Sequence, residues 1–429
     1  MTRIFDAPTR TLLAALAAVC LIGLLLVSSA SASGQSVVKV SGRPMYTTMG
    51  GATPLPTDRT VPHWYGTFTD PTNGVTYGYN MVGTGDPRAT HTTTTVPTEI
   101  IPLNFTFSTG KSFNGSDTVT ATLGSPVFQR NSYSTAKVTR NGKPQALSGA
   151  GTTQLEDATM RSQFNQLGRS AYHLLLDQPS IAPTQTIAVP ANHGVVASFG
   201  PGFNTFGDVD SNWFSSQMNN LINTLHIDPG TVPIFLTNNV YLYDNNDPNQ
   251  CCVLGFHGAS HPIGIGGGET NGQGNNVVQT FIYAAYAQPG TWATSSTPAS
   301  PDGADGYYIQ DIHPLSHEVS EWADDPFVNN TVNPWLTPTA PQYGCTNVLE
   351  TGDPVVGIGL LVGSNPYFQT AGANADGYWH PEDEAFLPWF ARQSPNTTSE
   401  QVQNGKTGRY TFFGDLNPYP GFQVPATGC

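Results

Sequence analysis

The seven residues from Ser316 to Trp322, with the sequence S-H-E-V-S-E-W, constrain this chain more than any other stretch. If the segment is helical, His317 and Glu321 are four residues apart and lie on one face of the helix. An imidazole and a carboxylate on one face can hold a common metal ion. Glu318 follows His317 directly and would lie beside that face, where it could deprotonate a water molecule. The stretch therefore predicts a metal site with an adjacent base.

The residues on either side of this motif favour a short helix. Pro314 fits the first turn, where its missing N–H group needs no partner. The sequence Asp324-Asp325-Pro326 predicts the end of the helix, because proline disfavours helical backbone in the residue before it. A segment of Tyr307 to Ile312 leads into the motif.

Hydrophobic periodicity predicts an α+β fold, with a β-rich N-terminal half and one early helix. Apolar residues at helical spacing predict helices over 154–167, from Asp210 or Ser211 to Leu225, over 314–324 and near 382–390. Alternating or continuous apolar runs predict strands over 98–107, 118–123, 174–176, 186–189, 232–236, 240–243, 251–256, 280–287 and 410–413.

The chain divides into four predicted regions. Residues 1–32 have the pattern of a secretory signal peptide: basic Arg3 and Arg10, an apolar run from Thr11 to Val27, and an Ala30-Ser31-Ala32 cleavage site. Residues 33–95 are rich in Thr, Pro and Gly and predict a loop-rich lead-in or propeptide. Residues 96–205 form the β-rich N-terminal region, and residues 206–429 form the domain that carries the motif.

The signal peptide predicts a secreted, extracellular protein with no membrane segment after cleavage, since no later stretch is apolar enough to cross a bilayer. The formal net charge is −14, from 16 Lys and Arg against 30 Asp and Glu. The sequence contains no basic patch, so we expect no nucleic acid partner.

Four cysteines remain after signal cleavage: Cys251, Cys252, Cys345 and Cys429. An even number of cysteines in an exported chain predicts two disulfides, and a metal-thiolate site is the alternative. Adjacent cysteines rarely bond to each other. We therefore expect Cys251 and Cys252 each to pair with one of Cys345 and Cys429.

With the S-H-E-x-x-E motif and a downstream acid in place, the chain resembles a divergent zincin metallopeptidase of the gluzincin kind, in which a downstream Glu is the third ligand. It is also similar to the plant phosphate-induced (exordium-like) proteins, whose motif is followed by an E-I-G-D stretch. Here the corresponding stretch is Glu350-Thr351-Gly352-Asp353. The resemblance covers residues 235–360 and implies a zincin-like domain.

The resemblance implies that His317, Glu321 and Glu350 are metal ligands and that Glu318 is the general base. Asp353 would support a ligand or contact the metal. The chain departs from H-E-x-x-H because Glu321 stands where a zincin has its second histidine. His313, four residues before His317, could supply a second imidazole.

Two further histidines, His257 and His261, are additional candidate ligands close to the Cys251-Cys252 pair. Zn²⁺ is the expected metal. One imidazole with two carboxylates would leave Zn²⁺ formally neutral, and such a ligand set also suits Mn²⁺ or Ca²⁺.

Two functions are compatible with this site. The first is a secreted metal-dependent endopeptidase that acts on polypeptides through a metal-activated water. The second is a non-catalytic extracellular binding or cell-surface protein on a degenerate zincin scaffold. The acidic pair Glu382 and Glu384 leaves glycoside hydrolysis by paired carboxylates as a further chemistry that depends on their geometry.

Overall fold

The computed structural model describes residues 37–41, 44–133, 137–138, 150–166, 171–261, 277–292, 309–336, 345–368, 377–393 and 410–412. These residues belong to one compact unit. The predicted signal peptide and Cys429 lie outside the described residues. Among the described helices, none combines the length and the apolar character that crossing a membrane requires.

The elements of the N-terminal half are mostly strands, in agreement with the prediction. They are β1 (Val38–Lys39), β2 (Met45–Met49), β3 (His63–Thr69), β4 (Thr76–Val82), β5 (Thr93–Val96), β6 (Thr98–Phe107), β7 (Ser112–Asn114), α1 (Val119–Leu123), β8 (Asn131–Ser132), β9 (Lys137–Val138), β10 (Thr152–Thr153), α2 (Leu155–Gln163), β11 (His173–Leu176), β12 (Ser180–Ile181), β13 (Gln185–Val189) and β14 (Gly194–Ser198).

The second half mixes longer strands with the two longest described helices. Its elements are β15 (Phe206–Asp210), α3 (Ser211–Leu225), β16 (Val232–Asn238), β17 (Val240–Tyr243), β18 (Cys251–Ser260), β19 (Gln279–Tyr286), α4 (His313–Asp324), β20 (Thr331–Leu336), β21 (Cys345–Val348), β22 (Leu360–Leu361) and α5 (Leu387–Phe390).

One large mixed sheet organises these elements. Its strands follow the order β1-β14-β15-β17-β18-β19-β16-β6-β12, with β2 on β18 and with β7 and β13 on β6. The central strands β19, β16 and β6 are parallel, whereas β18 is antiparallel to β19 and to β17. The sheet is continuous across the expected regional boundary at residue 205, since β6 and β16 are direct neighbours.

Helices cover both faces of this sheet. Phe214, Met218 and Ile222 of α3 pack against one face, together with Phe235 of β16 and Phe256 of β18. On the opposite face α4 packs through Leu315, Val319, Trp322 and Ala323, with Ile234 and Leu236 of β16. Adjacent strand residues point to opposite faces, which explains why neighbours such as Ile234 and Phe235 belong to different cores. The α+β prediction is confirmed at the level of a mixed fold with a large sheet.

The start and end of α3 follow the sequence closely. The Asp210 side chain accepts a hydrogen bond from the Trp213 amide at 2.7 Å, which satisfies one of the unpaired N–H groups at a helix start. The helix ends at Leu225, and His226 takes a left-handed conformation with φ 50°.

The described part of residues 33–95 contains more strand than its turn-rich composition suggests, and residues outside strands still outnumber those within them. Strands β3 and β4 form an antiparallel hairpin with seven residue pairs, from His63↔Val82 to Thr69↔Thr76. Threonine and tyrosine favour strands when a neighbouring strand is available for pairing. Here β3 and β4 provide that partner for each other, which the turn-rich composition does not indicate.

Two further predictions need correction. Residues 118–123 are not a strand: a 3-10 turn over Gly115–Thr118 leads into α1, and the Thr118 hydroxyl donates to the Gly115 carbonyl at 2.8 Å. The predicted helix near 382–390 is reduced to α5. The amides of Asp383 and Ala385 donate to the carbonyls of Ile358 and Thr351 at 2.8 Å, so this backbone bonds to neighbouring segments instead of to itself.

Acidic side chains are buried where α2 meets α4. Gln163 donates to Asp324 at 2.8 Å, and Glu156 and Asp324 are both almost fully buried. Burial raises the pKa of Asp324 to about 7, against the hydrogen bond from Gln163. Burial and the nearby Asp324 carboxylate raise the pKa of Glu156 well above its ordinary range.

These raised pKa values predict a fold that is more stable in acid than at neutral pH. Between the ordinary aspartate value of 3.8 and about 7, folded Asp324 keeps a proton that the unfolded chain releases. The free energy of unfolding should therefore fall as the pH rises through this interval, by a few kcal/mol at most, since one pKa unit corresponds to about 1.4 kcal/mol.

Denaturant unfolding from pH 4 to pH 8 measures this slope. Asp324→Asn should flatten it, because the amide does not titrate. Asp117→Asn, at an exposed carboxylate, should leave it unchanged. An equal slope in Asp324→Asn and in the parent chain would contradict the assignment.

Candidate metal centre

The candidate site is built on α4, which is buried along its whole length. One face of the helix is apolar and packs on the sheet. The Trp322 indole N–H also donates to the Thr280 hydroxyl of β19 at 3.0 Å, which fixes the rotation of the helix. The other face carries His317 and Glu321, whose Nε2 and Oε1 atoms lie 3.1 Å apart. The predicted four-residue spacing therefore places both groups together.

The structure adds His257, which sequence reasoning ranked only as a further candidate. Phe256 points to the α3 face of the sheet, so its neighbours Gly255 and His257 point to the α4 face. His257 Nδ1 lies 3.5 Å from Glu318 Oε2, 3.6 Å from Glu321 Oε2 and 4.0 Å from Glu350 Oε2. The alternation along β18 was the sequence signal that could have assigned this histidine to the site.

His261, the other histidine near the cysteine pair, does not join the cluster. It directly follows the end of β18, and its Nδ1 hydrogen bonds to the Val277 carbonyl at 3.1 Å. This residue therefore provides a natural control for experiments on His257.

Glu350 and Asp353 approach the helix from a separate loop. Glu350 lies in a group with His257 and Glu321 whose ligand atoms are all within 4.8 Å of one another. Asp353 Oδ1 is 3.9 Å from His317 Nε2. The amides of Gly352 and Asp353 both donate to Glu321 Oε1, at 3.1 and 3.2 Å. These two bonds hold the loop against α4.

Two glycines permit these close approaches. A side chain at position 255 would collide with Glu318, and one at position 352 would collide with the ring of His317. Only glycine lets the β18 backbone and the 350–353 loop come this near to the helix.

Glu382 supports the helix histidines from the far side of the cluster. Its Oε2 lies 3.2 Å from His317 Nδ1 and 2.8 Å from His313 Nε2, and its own amide donates to the Ser316 hydroxyl at 2.9 Å. His313 therefore contacts Glu382 instead of entering the cluster. A carboxylate on one ring nitrogen of a histidine fixes the orientation of the other nitrogen, as partners of metal-bound histidines do.

The described residues contain two overlapping groups that could hold a cation on α4: His257, Glu321 and Glu350, and His317, Glu318 and Glu321. Glu321 is common to both. The sequence predicted three ligands, of which His317 belongs to one group, Glu350 to the other and Glu321 to both. His257 was predicted only as an additional candidate.

The hydrogen bonding of these side chains fits a cation. In the described structure the following buried atoms have no hydrogen-bond partner: both ring nitrogens of His257, Nε2 of His317, both carboxylate oxygens of Glu318, Oε2 of Glu321 and Oε1 of Glu350. Buried polar groups are normally paired. Several unpaired ligand atoms that face one another therefore fit a bound cation.

The charges of the cluster are strongly coupled. Burial opposes ionisation of Glu321, but His317 and His257 outweigh it and hold the pKa of this carboxyl well below its usual range. Burial raises the pKa of Glu318 to about 7, with His257 and His317 opposing. Burial, Glu321 and Asp353 raise the pKa of Glu350. Burial alone would lower the pKa of His257, but Glu318 and Glu321 raise it to about 10.

The expected long-range pairing of Cys251 and Cys252 is wrong. The two residues are bonded to each other, and the peptide bond between them is cis, with the Cα atoms 3.0 Å apart. Cys345 is also disulfide-bonded. Asp208 lies beside Cys251 and Cys252, but bonded sulfurs are not thiolates, so this group does not form the alternative metal-thiolate site.

Comparisons of the chain with protein-family models, with curated proteins and with solved structures found no match.

If His257 is a ligand, its removal should weaken metal binding sharply. Loss of a residue that only hydrogen bonds to a metal ligand lowers metal affinity by roughly 10–100-fold. We expect His257→Ala to lower the affinity for Zn²⁺ by more than this. His261→Ala, at the end of the same strand, should leave the affinity unchanged. Competition against a chelator of known affinity measures both, and equal affinities in the two variants would exclude His257 from the site.

Glu382 should act through His317. Glu382→Gln keeps the size of the side chain but removes its charge, so metal affinity should fall by about 10–100-fold. The thermal stability of the metal-free variant, compared with that of the parent chain, separates this effect from general damage to the fold. Unchanged affinity would show that Glu382 does not orient the histidine.

Proposed function

We propose that this chain is a secreted, zincin-like, metal-dependent endopeptidase in which His257, His317, Glu321 and Glu350 hold the metal and Glu318 is the general base. The observation that carries the proposal is the convergence of buried, unpaired ligand atoms from α4, β18 and the 350–353 loop. Such groups are costly to bury together without a cation.

The ligand set favours zinc. Two imidazoles and carboxylates are closer to the His₂Glu set of catalytic zinc sites than the single histidine expected from the sequence. The carboxylates also suit Mn²⁺, which metal analysis of the purified protein would distinguish. A metal bound there would polarise a peptide carbonyl and acidify a water molecule.

The chain's own residues supply the remaining chemistry. Glu318 lies next to His317 on α4, and its carboxylate has no hydrogen-bond partner among the described residues. It would accept the proton of the attacking water and deliver it to the leaving amine, which releases the two peptide fragments. Glu382 would hold the ring of His317 in place during this cycle.

A non-catalytic binding protein on the same scaffold is the second candidate. The observation that favours it is enclosure: His257, His317, Glu318 and Glu321 are completely buried, and Glu350 is 5% exposed. A site that stays closed could hold a metal for structural reasons alone.

Substitution of the base separates the two functions. Glu318→Gln should keep the metal and the fold but lose about 10²–10⁴-fold in the rate of peptide hydrolysis. His317→Ala should lose metal and activity together, and Glu99→Gln on β6 serves as a control at a distant glutamate. Hydrolysis of a fluorogenic peptide library measures the rates, and elemental analysis measures the metal.

Two outcomes would contradict the peptidase proposal. Unchanged hydrolysis in Glu318→Gln would assign the activity to another site. If the metal-loaded parent chain hydrolyses no peptide, either intact or after release of β2 from the sheet, the binding scaffold is favoured.

A further inference from the structure

The metal cluster is covered by the N-terminal strand β2. This strand pairs in parallel with β18, and the register matches Gly255 with Tyr46, His257 with Thr48 and Gly258 with Met49. On its other side β18 is paired with β19 over the same residues. The strand β2 therefore occupies the remaining edge of β18 next to the cluster.

Tyr46 of this strand lies directly on the site. Its ring stacks on the ring of His317, with the centroids 3.5 Å apart and an interplanar angle of 15°. Tyr46 is 7% exposed, and its hydroxyl interacts with the carboxylate of Glu382. A phenol ring in this position blocks the approach of a substrate to His317.

The hold of β2 on the sheet is limited. Among the described strands β2 pairs with β18 alone. Segments with few buried side chains open most readily, and Tyr46 is the one buried residue of β2.

The segment that follows β2 combines one anchor with an exposed turn. The Ala52 amide donates to the Phe327 carbonyl, and the Asn329 side chain donates to the Ala52 carbonyl, both at 3.0 Å. The chain then turns from Leu55 to Asp58, with Leu55 53% exposed. Exposed turns are the usual sites of proteolytic cleavage, and a cut here would separate β2 and its Ala52 anchor from the chain that follows.

We propose that β2 is a built-in cover of the cluster, and that release of Met45–Met49 from β18 is what gives other molecules access to His317. Release would also free backbone donors and acceptors along β18, an edge to which an extended polypeptide can add as a strand. That second consequence rests on the proposed peptidase function, whereas the covering of the cluster by β2 does not.

Chemical modification of His317 tests the cover without requiring metal or activity. The full chain is treated with a chelator and then with diethyl pyrocarbonate, and modification of each histidine is followed by mass spectrometry. Tyr46→Ala removes the stacked ring and should accelerate modification of His317 by about 10-fold or more, as expected when a closed segment opens. Tyr46→Phe keeps the stacked ring and removes only the hydroxyl, so His317 in this variant should be modified no faster than in the parent chain.

A cleavable chain provides a second test that does not depend on the folding of Tyr46→Ala. The exposed turn from Leu55 to Asp58 is replaced by the recognition sequence of a specific protease, and the folded protein is then cut. Cutting should accelerate modification of His317 and hydrogen exchange of the amides from Gly255 to Gly258. The control carries the same sequence in the β3–β4 turn between Asp70 and Val75, where cutting should change neither.

The outcomes separate this proposal from the proposed function. The proposed cover would be wrong if His317 were modified at the same rate in the two cut chains. It would also be wrong if a folded Tyr46→Ala variant and the parent chain were modified at the same rate. Faster modification in a chain that binds no Zn²⁺ would support the cover and overturn the metallopeptidase. Faster modification together with new peptide hydrolysis would support both.

Discussion

The close packing of carboxylates and imidazoles around α4 is the constraint on which the rest of the site depends. Glu321 illustrates it best. Its carboxylate lies beside His317 and His257 and accepts two backbone amides from the 350–353 loop. These interactions join a helix, a strand and a loop that are far apart in the sequence. They also keep the charge of Glu321 in a place from which water is excluded.

The pKa values of the surrounding acids shift in the direction opposite to that of Glu321. Burial raises the pKa of Glu318 and of Glu350, and the nearby charge of Glu321 raises both further. A bound cation would reverse this effect, since it would stabilise the ionised carboxylates that burial disfavours. The electrostatics of the cluster and the unpaired ligand atoms thus favour the same occupant.

Enclosure is the feature that any account of function has to explain. The cluster is buried between β18 and α4, and Tyr46 of β2 covers it next to His317. A structural metal site would need no opening, whereas a hydrolase would. The strand β2, whose described pairing is with β18 alone, is the segment that we propose to open. The proposal connects the N-terminal region to the cluster on α4.

Local patterns in the sequence determined the elements whose signals are short-range. Pro314 and the Asp325-Pro326 pair defined α4, Asp210 and an apolar stripe defined α3, and continuous apolar runs identified β16 and β19. The four-residue spacing of His317 and Glu321 correctly placed their side chains together. Each of these features depends on backbone geometry within a few residues.

Only the tertiary structure decided which distant residues meet. The bond between Cys251 and Cys252, the strands of the 33–95 region and the extended backbone around Glu382 all run against local preference. His257 enters the cluster because the pairing of β18 with β19 turns it towards α4, and β2 covers the site because it completes the edge of the same strand. The sequence by itself determined a helix that presents a histidine and two glutamates; strand register, which depends on long-range hydrogen bonds and not on local propensity, decided what surrounds them.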